Sequence, residues 1–137
     1  VGLGKAIVLD LDLVKVKELR DYFITKVEKE IEEIKLNGAR TNRLGNNANF
    51  SFKYVEGESL LMSLDLEGIA VSTGSACSSR SLKPSHVLMA LGMGAEQAHG
   101  SIRFTFSKYN TKEEVDKTVD ILKKIIERLR SISPLRK

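Results

Sequence analysis

Apolar residues recur at three- and four-residue steps through Val16, Leu19, Phe23, Val27, Ile31 and Ile34, with lysine, glutamate and arginine between them. That is the period of one helix face, and it predicts an amphipathic helix over residues 14–36, stopped by Asn37-Gly38. Residues 37–47 are rich in asparagine and glycine and predict a loop. The period then drops to two. Phe50, Phe52 and Tyr54 fall on one side of the run from Ala48 to Tyr54, which predicts a half-buried strand. Leu60, Leu61, Met62, Leu64 and Leu66 return to helical spacing, with Glu56 and Glu58 as an acidic first turn and Gly68 as the stop.

Ile69-Ala-Val71 predicts a short strand. A helix opening at Pro84 or Ser85 carries Val87, Leu88 and Leu91 and ends at Gly92. After one helical turn near Ala95–Ala98, Ser101-Ile-Arg-Phe-Thr-Phe106 alternates as a second clear strand. Thr111 and Glu114 have the spacing of a capping box, and the helix behind them runs to about Ser131 with Val115, Val119, Leu122, Ile126 and Leu129 inward. The predicted order is helix, strand, helix, strand, helix, strand, helix. It implies a single domain over 1–137 of α+β class, an α/β sandwich in which helices flank a small sheet.

Composition narrows the partners more than the fold. No apolar run approaches the 18 residues a membrane-spanning helix needs, and no secretory leader opens the chain, so neither membrane insertion nor export is expected. The net charge of +4 gathers near the end, at Lys123, Lys124, Arg128, Arg130, Arg136 and Lys137, interrupted by Glu127. That pattern reads as a solvated helix face. Without interleaved aromatics or a basic stripe it does not predict nucleic-acid binding. The chain opens Val1-Gly-Leu-Gly-Lys5 without an initiator methionine and runs straight into apolar Ala6–Leu9, which reads as a piece of a longer protein.

The one cysteine, Cys77, lies among Gly74, Ser75, Ala76, Ser78 and Ser79, with Arg80 and Lys83 close behind. A lone thiol has no internal disulfide partner and fits a reducing, cytoplasmic setting. Small neighbours predict a mobile loop, and nearby positive charge favours the thiolate, the nucleophilic form. The competing reading is a small apolar side chain packed in a core, which those neighbours do not resemble. Arg103 is the second candidate. Strand alternation sends Ile102 and Phe104 to one face and Arg103 to the other, where a guanidinium can grip a carboxylate through two parallel hydrogen bonds. Taken alone, an exposed strand arginine is the plainer reading. His86 and His99 lack metal-ligand spacing, so no metal site is expected. Gly92-Met-Gly94 and Gly2-Leu-Gly4 do not continue into phosphate-binding motifs.

Gly68-Ile-Ala-Val-Ser-Thr-Gly-Ser-Ala-Cys77-Ser-Ser resembles the active-site cysteine loop of cysteine desulfurases of the NifS/IscS type. Val1–Ala6, Val55-Glu-Gly-Glu-Ser-Leu-Leu61, Pro84-Ser-His-Val-Leu-Met-Ala-Leu-Gly92 and Ala98-His-Gly-Ser-Ile-Arg-Phe104 resemble the same family in the same order. The resemblance implies the C-terminal small domain of a fold-type-I pyridoxal-phosphate enzyme that converts L-cysteine to L-alanine and an enzyme persulfide. By position, Cys77 would hold the persulfide and Arg103 the substrate carboxylate. It also implies a homodimeric longer protein and a sulfur acceptor such as an iron–sulfur scaffold.

The family's Schiff-base lysine follows a histidine, and this chain has no His-Lys pair. The 137 residues by themselves are therefore expected neither to bind the cofactor nor to turn over. A freestanding sulfur carrier and a related selenocysteine lyase are the alternatives the resemblance leaves open.

Overall fold

The structure, a computed structural model, describes Gly2, residues 12–73 and residues 84–134. Cys77, its neighbours Gly74–Lys83 and the apolar stretch Ala6–Leu9 lie outside the described residues. Helix α1 (Leu13–Glu30) is followed by strands β1 (Ile34–Leu36) and β2 (Asn47–Phe52), then helices α2 (Gly57–Leu66), α3 (His86–Ala90) and α4 (Ala95–His99). Strand β3 (Ser101–Thr105) and helix α5 (Lys112–Ile132) complete the order. The sheet is antiparallel in the order β1-β2-β3, and α1, α2 and α5 pack together on one of its faces.

Alternation decides what that face buries. Ala48, Phe50 and Phe52 from β2 and Ile102 and Phe104 from β3 point into the core, all at 5% exposure or less. Phe23 and Val27 of α1, Leu60 and Leu64 of α2, and Val119, Leu122 and Ile126 of α5 close over them. Phe23 is the hub, with ring centroids 4.7 Å from Phe104, 5.3 Å from Phe106 and 6.2 Å from Phe50. Such tilted and edge-on contacts suit aromatic quadrupoles and add to the burial of apolar area. A smaller cluster of Leu88, Met93 and Ala98 holds α3 to α4.

The predicted helix over 14–36 is really two elements. It ends at Glu30, Ile31 is extended, and Glu33 adopts a left-handed backbone with φ of 54°. Ile34 and Leu36 then pair with Phe52 and Phe50 as the edge strand β1. Ile31, Ile34 and Leu36 satisfy a step of three and a step of two alike, so periodicity could not find this break. The partner that fixes it comes from the other end of the chain. Arg130, 6% exposed, donates to the carbonyls of Lys53 (3.1 Å), Glu32 (2.9 Å) and Glu33 (3.1 Å). One guanidinium thus joins α5 to the α1–β1 turn and to the end of β2.

Two further boundaries moved. Tyr54, expected on the strand, lies past it with φ of 63°. Ile69–Val71 forms no strand; the only pairing there is a single bridge between Ser72 and Arg103. The capping box at Thr111 and Glu114 is present, and α5 buries Val115, Val119, Leu122 and Ile126 as expected, with Leu129 only partly buried. Between α1 and α5, Tyr22 Oη and Lys26 Nζ each donate to Asp116 Oδ1 at 2.6 Å. These two bonds, led by that from Lys26, hold the Asp116 carboxyl below its ordinary range.

Replacing Arg130 by Met keeps the aliphatic stem and strands three carbonyls. The expected loss is about 2 kcal/mol in urea unfolding, the scale of hydrogen bonds from a charged donor. An unchanged unfolding midpoint would contradict the anchoring role.

Candidate functional site

Arg103 stands in the middle of β3, on the sheet face that carries no aliphatic core. Its backbone N–H donates to Ser72 O at 2.7 Å and its carbonyl accepts from Ser72 N–H at 3.1 Å. The strand edge therefore holds the chain just as it enters the cysteine loop. Cys77 follows Ser72 by five residues in the sequence.

The Arg103 side chain is half-buried and has no salt bridge or side-chain hydrogen bond among the described residues. Its Nε is fully shielded from solvent and still lacks an acceptor. A buried donor left unpaired costs free energy, and an arginine has five donors and no means of losing its charge. An acceptor-rich, negatively charged group would satisfy it.

Close packing fixes the frame around it. A Cβ built on Gly57 would lie 2.4 Å from the His99 carbonyl oxygen and 3.4 Å from Thr73 Cγ2, so the first turn of α2 can approach the start of β3 only as glycine. Gly100 meets the carbonyls of Val55 and Phe52 at 2.9 and 3.0 Å by the same measure. Glu56 caps α2, accepting from Glu58 N–H at 2.9 Å and from Ser59 N–H and Oγ at 2.7 Å each. Burial acts to raise its pKa, but the bonds from the Ser59 hydroxyl and the two N–H groups outweigh that, and the carboxyl sits below its usual value.

The sheet face around Arg103 is polar throughout, and sequence reasoning missed it. Asn49 pairs directly with Arg103, Ser51 with Ser101 and Asn47 with Thr105. Asn37, read from the sequence as a helix stop, is 4% exposed and donates through Nδ2 to Asn49 Oδ1 at 2.6 Å and to Ser51 Oγ at 2.9 Å. The alternating polar set Asn47, Asn49 and Ser51 was the available signal, once β2 was placed beside β3. His86 and His99 sit at opposite ends of the α3–α4 pair, exposed. No group of metal-ligating side chains gathers among the described residues, and none of their helices is long and apolar enough to cross a membrane.

Residues 3–118 match the family model of the class-V aminotransferases. The chain is 60% identical to cysteine desulfurase IscS of Dictyoglomus turgidum and 51% identical to cysteine desulfurase IscS 1 of Archaeoglobus fulgidus. Each match covers 98% of this chain, and 35% and 36% of those proteins. The chain therefore spans about a third of the length of the curated relatives it matches. Among solved structures, a NifS-like protein from Rickettsia africae superposes with a TM-score of 0.72 at 26% identity, over 84% of this chain and 29% of that one. Another NifS-like protein gives 0.71 at 28% identity, over 85% and 28%.

The depressed Glu56 carboxyl makes a prediction with a definite sign. Its contribution to stability is present above the ordinary glutamate pKa and disappears as pH falls through the lowered folded value. The stability difference between the parent and Glu56→Ala should be full at neutral pH and vanish in acid. Urea unfolding at both pH values checks this, and a difference independent of pH would contradict it.

Proposed function

The chain belongs to the class-V aminotransferase family, and from that premise we propose that it is the C-terminal small domain of a pyridoxal-phosphate-dependent cysteine desulfurase. Cys77, as thiolate, takes the sulfur of L-cysteine: a sulfur–sulfur bond forms, the substrate's carbon–sulfur bond breaks, and L-alanine leaves. Arg103 holds the substrate carboxylate. The observation that carries this reading is the unpartnered guanidinium beside the strand edge that leads into the cysteine loop.

The cofactor of this family, pyridoxal phosphate, supplies the electron sink for breaking the carbon–sulfur bond. The cavity beside β3 does not fit it. A cavity of about 540 Å³ between α2, β3 and α5 presents Glu67 and Glu114 against the single ammonium of Lys117. Two carboxylates there repel a phosphate group. The roles this reading gives the chain are those of thiol and carboxylate clamp.

The same reading takes the longer protein as a homodimer, an iron–sulfur scaffold as a sulfur acceptor and the cytoplasm as the compartment. The lone cysteine, which has no disulfide partner within the chain, supports the last of these.

A chimera tests the proposal. The third of the 60%-identical relative that matches this chain is replaced by the 137 residues, and alanine formed from L-cysteine is measured beside the mass of the Cys77 peptide. Alanine release together with a gain of one sulfur on Cys77 is expected. Cys77→Ser should abolish both, and Arg103→Lys should raise KM for cysteine by about tenfold or more, because an ammonium cannot form the two-point grip. A folded chimera with bound cofactor that yields no alanine contradicts the reading.

A further inference from the structure

Arg103 and Asn49 are cross-strand partners on the polar face of β2 and β3. The Arg103 backbone groups point outward to Ser72, while the Asn49 carbonyl points the other way and accepts from Asn37 N–H at 2.8 Å. The two residues thus form a non-hydrogen-bonded antiparallel pair, the kind whose Cα atoms lie only about 4.5 Å apart and whose side chains approach most closely.

The direction of the Asn49 amide follows from a chain of donors that starts at a carbonyl. Gln97 O can only accept, so the Ser51 hydroxyl hydrogen goes to it, at 3.0 Å. With its one hydrogen used, Ser51 Oγ must accept from Asn37, which fixes the Asn37 NH₂ group toward the strand. The second hydrogen of that NH₂ meets Asn49, so Asn49 presents its oxygen there. The backbone of Asn37 is held on both sides, its N–H on Asn49 O and its carbonyl accepting from Arg43 Nη2. Asn49 Nδ2 is then turned away from Asn37 and has no partner among the described residues. This amide and the Arg103 guanidinium belong to directly paired residues, and neither donates to a protein acceptor among the described residues.

We propose that Asn49 is a second substrate-binding residue, donating through Nδ2 to the same carboxylate that Arg103 grips, with its amide oriented by the Gln97–Ser51–Asn37 relay. A carboxylate is acceptor-only and has two oxygens, so it can satisfy both donors at once. A neutral acceptor would leave the arginine charge uncompensated, and a cation would be repelled. The inference rests on the reading of Arg103 as the carboxylate clamp, and adds the group that orients the carboxylate beside it. Asn37 and Ser51 are positioning residues in this arrangement.

L-Alanine, which has the substrate's carboxylate and no reactive sulfur, is the probe. The cofactor-loaded chimera described above, isotope-labelled in the 137-residue segment, is titrated with it while the Arg103 Nε–Hε and Asn49 Nδ2–H₂ NMR signals are followed, and Asn49→Ala and Asn49→Ser are titrated in parallel. Both sets of signals are expected to move together along one binding curve. Each variant should raise Kd by about tenfold, the effect of one hydrogen bond to a charged acceptor, with the Phe50 and Ile102 backbone signals in place as a check on the fold. Ser51→Ala should also weaken binding and uncouple the Asn49 signals from those of Arg103, an effect that lost packing alone would not produce. Arg103 responding while Asn49 stays still, or either Asn49 variant binding as tightly as the parent, overturns the Asn49 role and leaves the clamp intact. No response from Arg103 in the parent overturns the clamp, and this inference with it.

Discussion

The register of β2 against β3 governs where everything else in this molecule can be. Phe50 opposite Ile102 and Ala48 opposite Phe104 send four apolar side chains to one face, where three helices cover them. The same pairing places Asn49 opposite Arg103 on the other face. A slip of one residue would drive the guanidinium into the aromatic cluster around Phe23 and expose Phe104. Burying an unpaired charge there costs far more than any local rearrangement could recover, so the core itself holds the arginine on the functional face. Hydrophobic burial on one side of the sheet is in this sense what positions polar chemistry on the other.

That register is reinforced from several parts of the chain. Arg130 gathers three carbonyls at the α1–β1 turn and the end of β2, which lets β1 pair as the edge strand. Gly57 and Gly100 permit backbone contacts at the entry to β3 that any side chain would prevent. Arg20, at 1% exposure, donates to the Leu44 carbonyl at 2.7 Å, and Arg43 donates to Ala39 O at 2.7 Å, so the loop between β1 and β2 is tied down rather than free. These arginines act through backbone carbonyls, where a planar fork of donors serves better than a point charge.

The sequence revealed the elements whose period is unambiguous. The alternation of Ser101–Phe106, the capping box at Thr111 and the stripe along α5 all have one reading, and the α+β class follows from them. It concealed what depends on distant partners. Ile31, Ile34 and Leu36 fit helix and strand spacing equally, and the arginine that stabilises the break lies 97 residues from Glu33. Cys77 and Arg103 stood out because their residue types are unusual in their local setting, a thiol among small polar residues and a charge in an apolar strand. Asn37, Asn49 and Ser51 did not, since Asn37 reads as an ordinary helix stop and Asn49 and Ser51 as the solvated side of a half-buried strand. Only the pairing register, which no local pattern specifies, turns them into one network facing Arg103.

In the proposed reaction the Cys77 thiol and the Arg103 guanidinium would work on one small molecule, which requires them to come within its reach of each other. The Ser72–Arg103 bridge ties the chain to β3 five residues before Cys77 in the sequence, and Asn49 is the residue proposed to share the grip. The lone cysteine allows a direct measurement: a nitroxide attached to Cys77 broadens nearby proton signals steeply with distance. Selective loss of the Arg103 Nε–Hε and Asn49 Nδ2–H₂ NMR signals, restored when the nitroxide is reduced, is the predicted result. Full intensity at both residues with the label in its oxidised form would contradict a shared site.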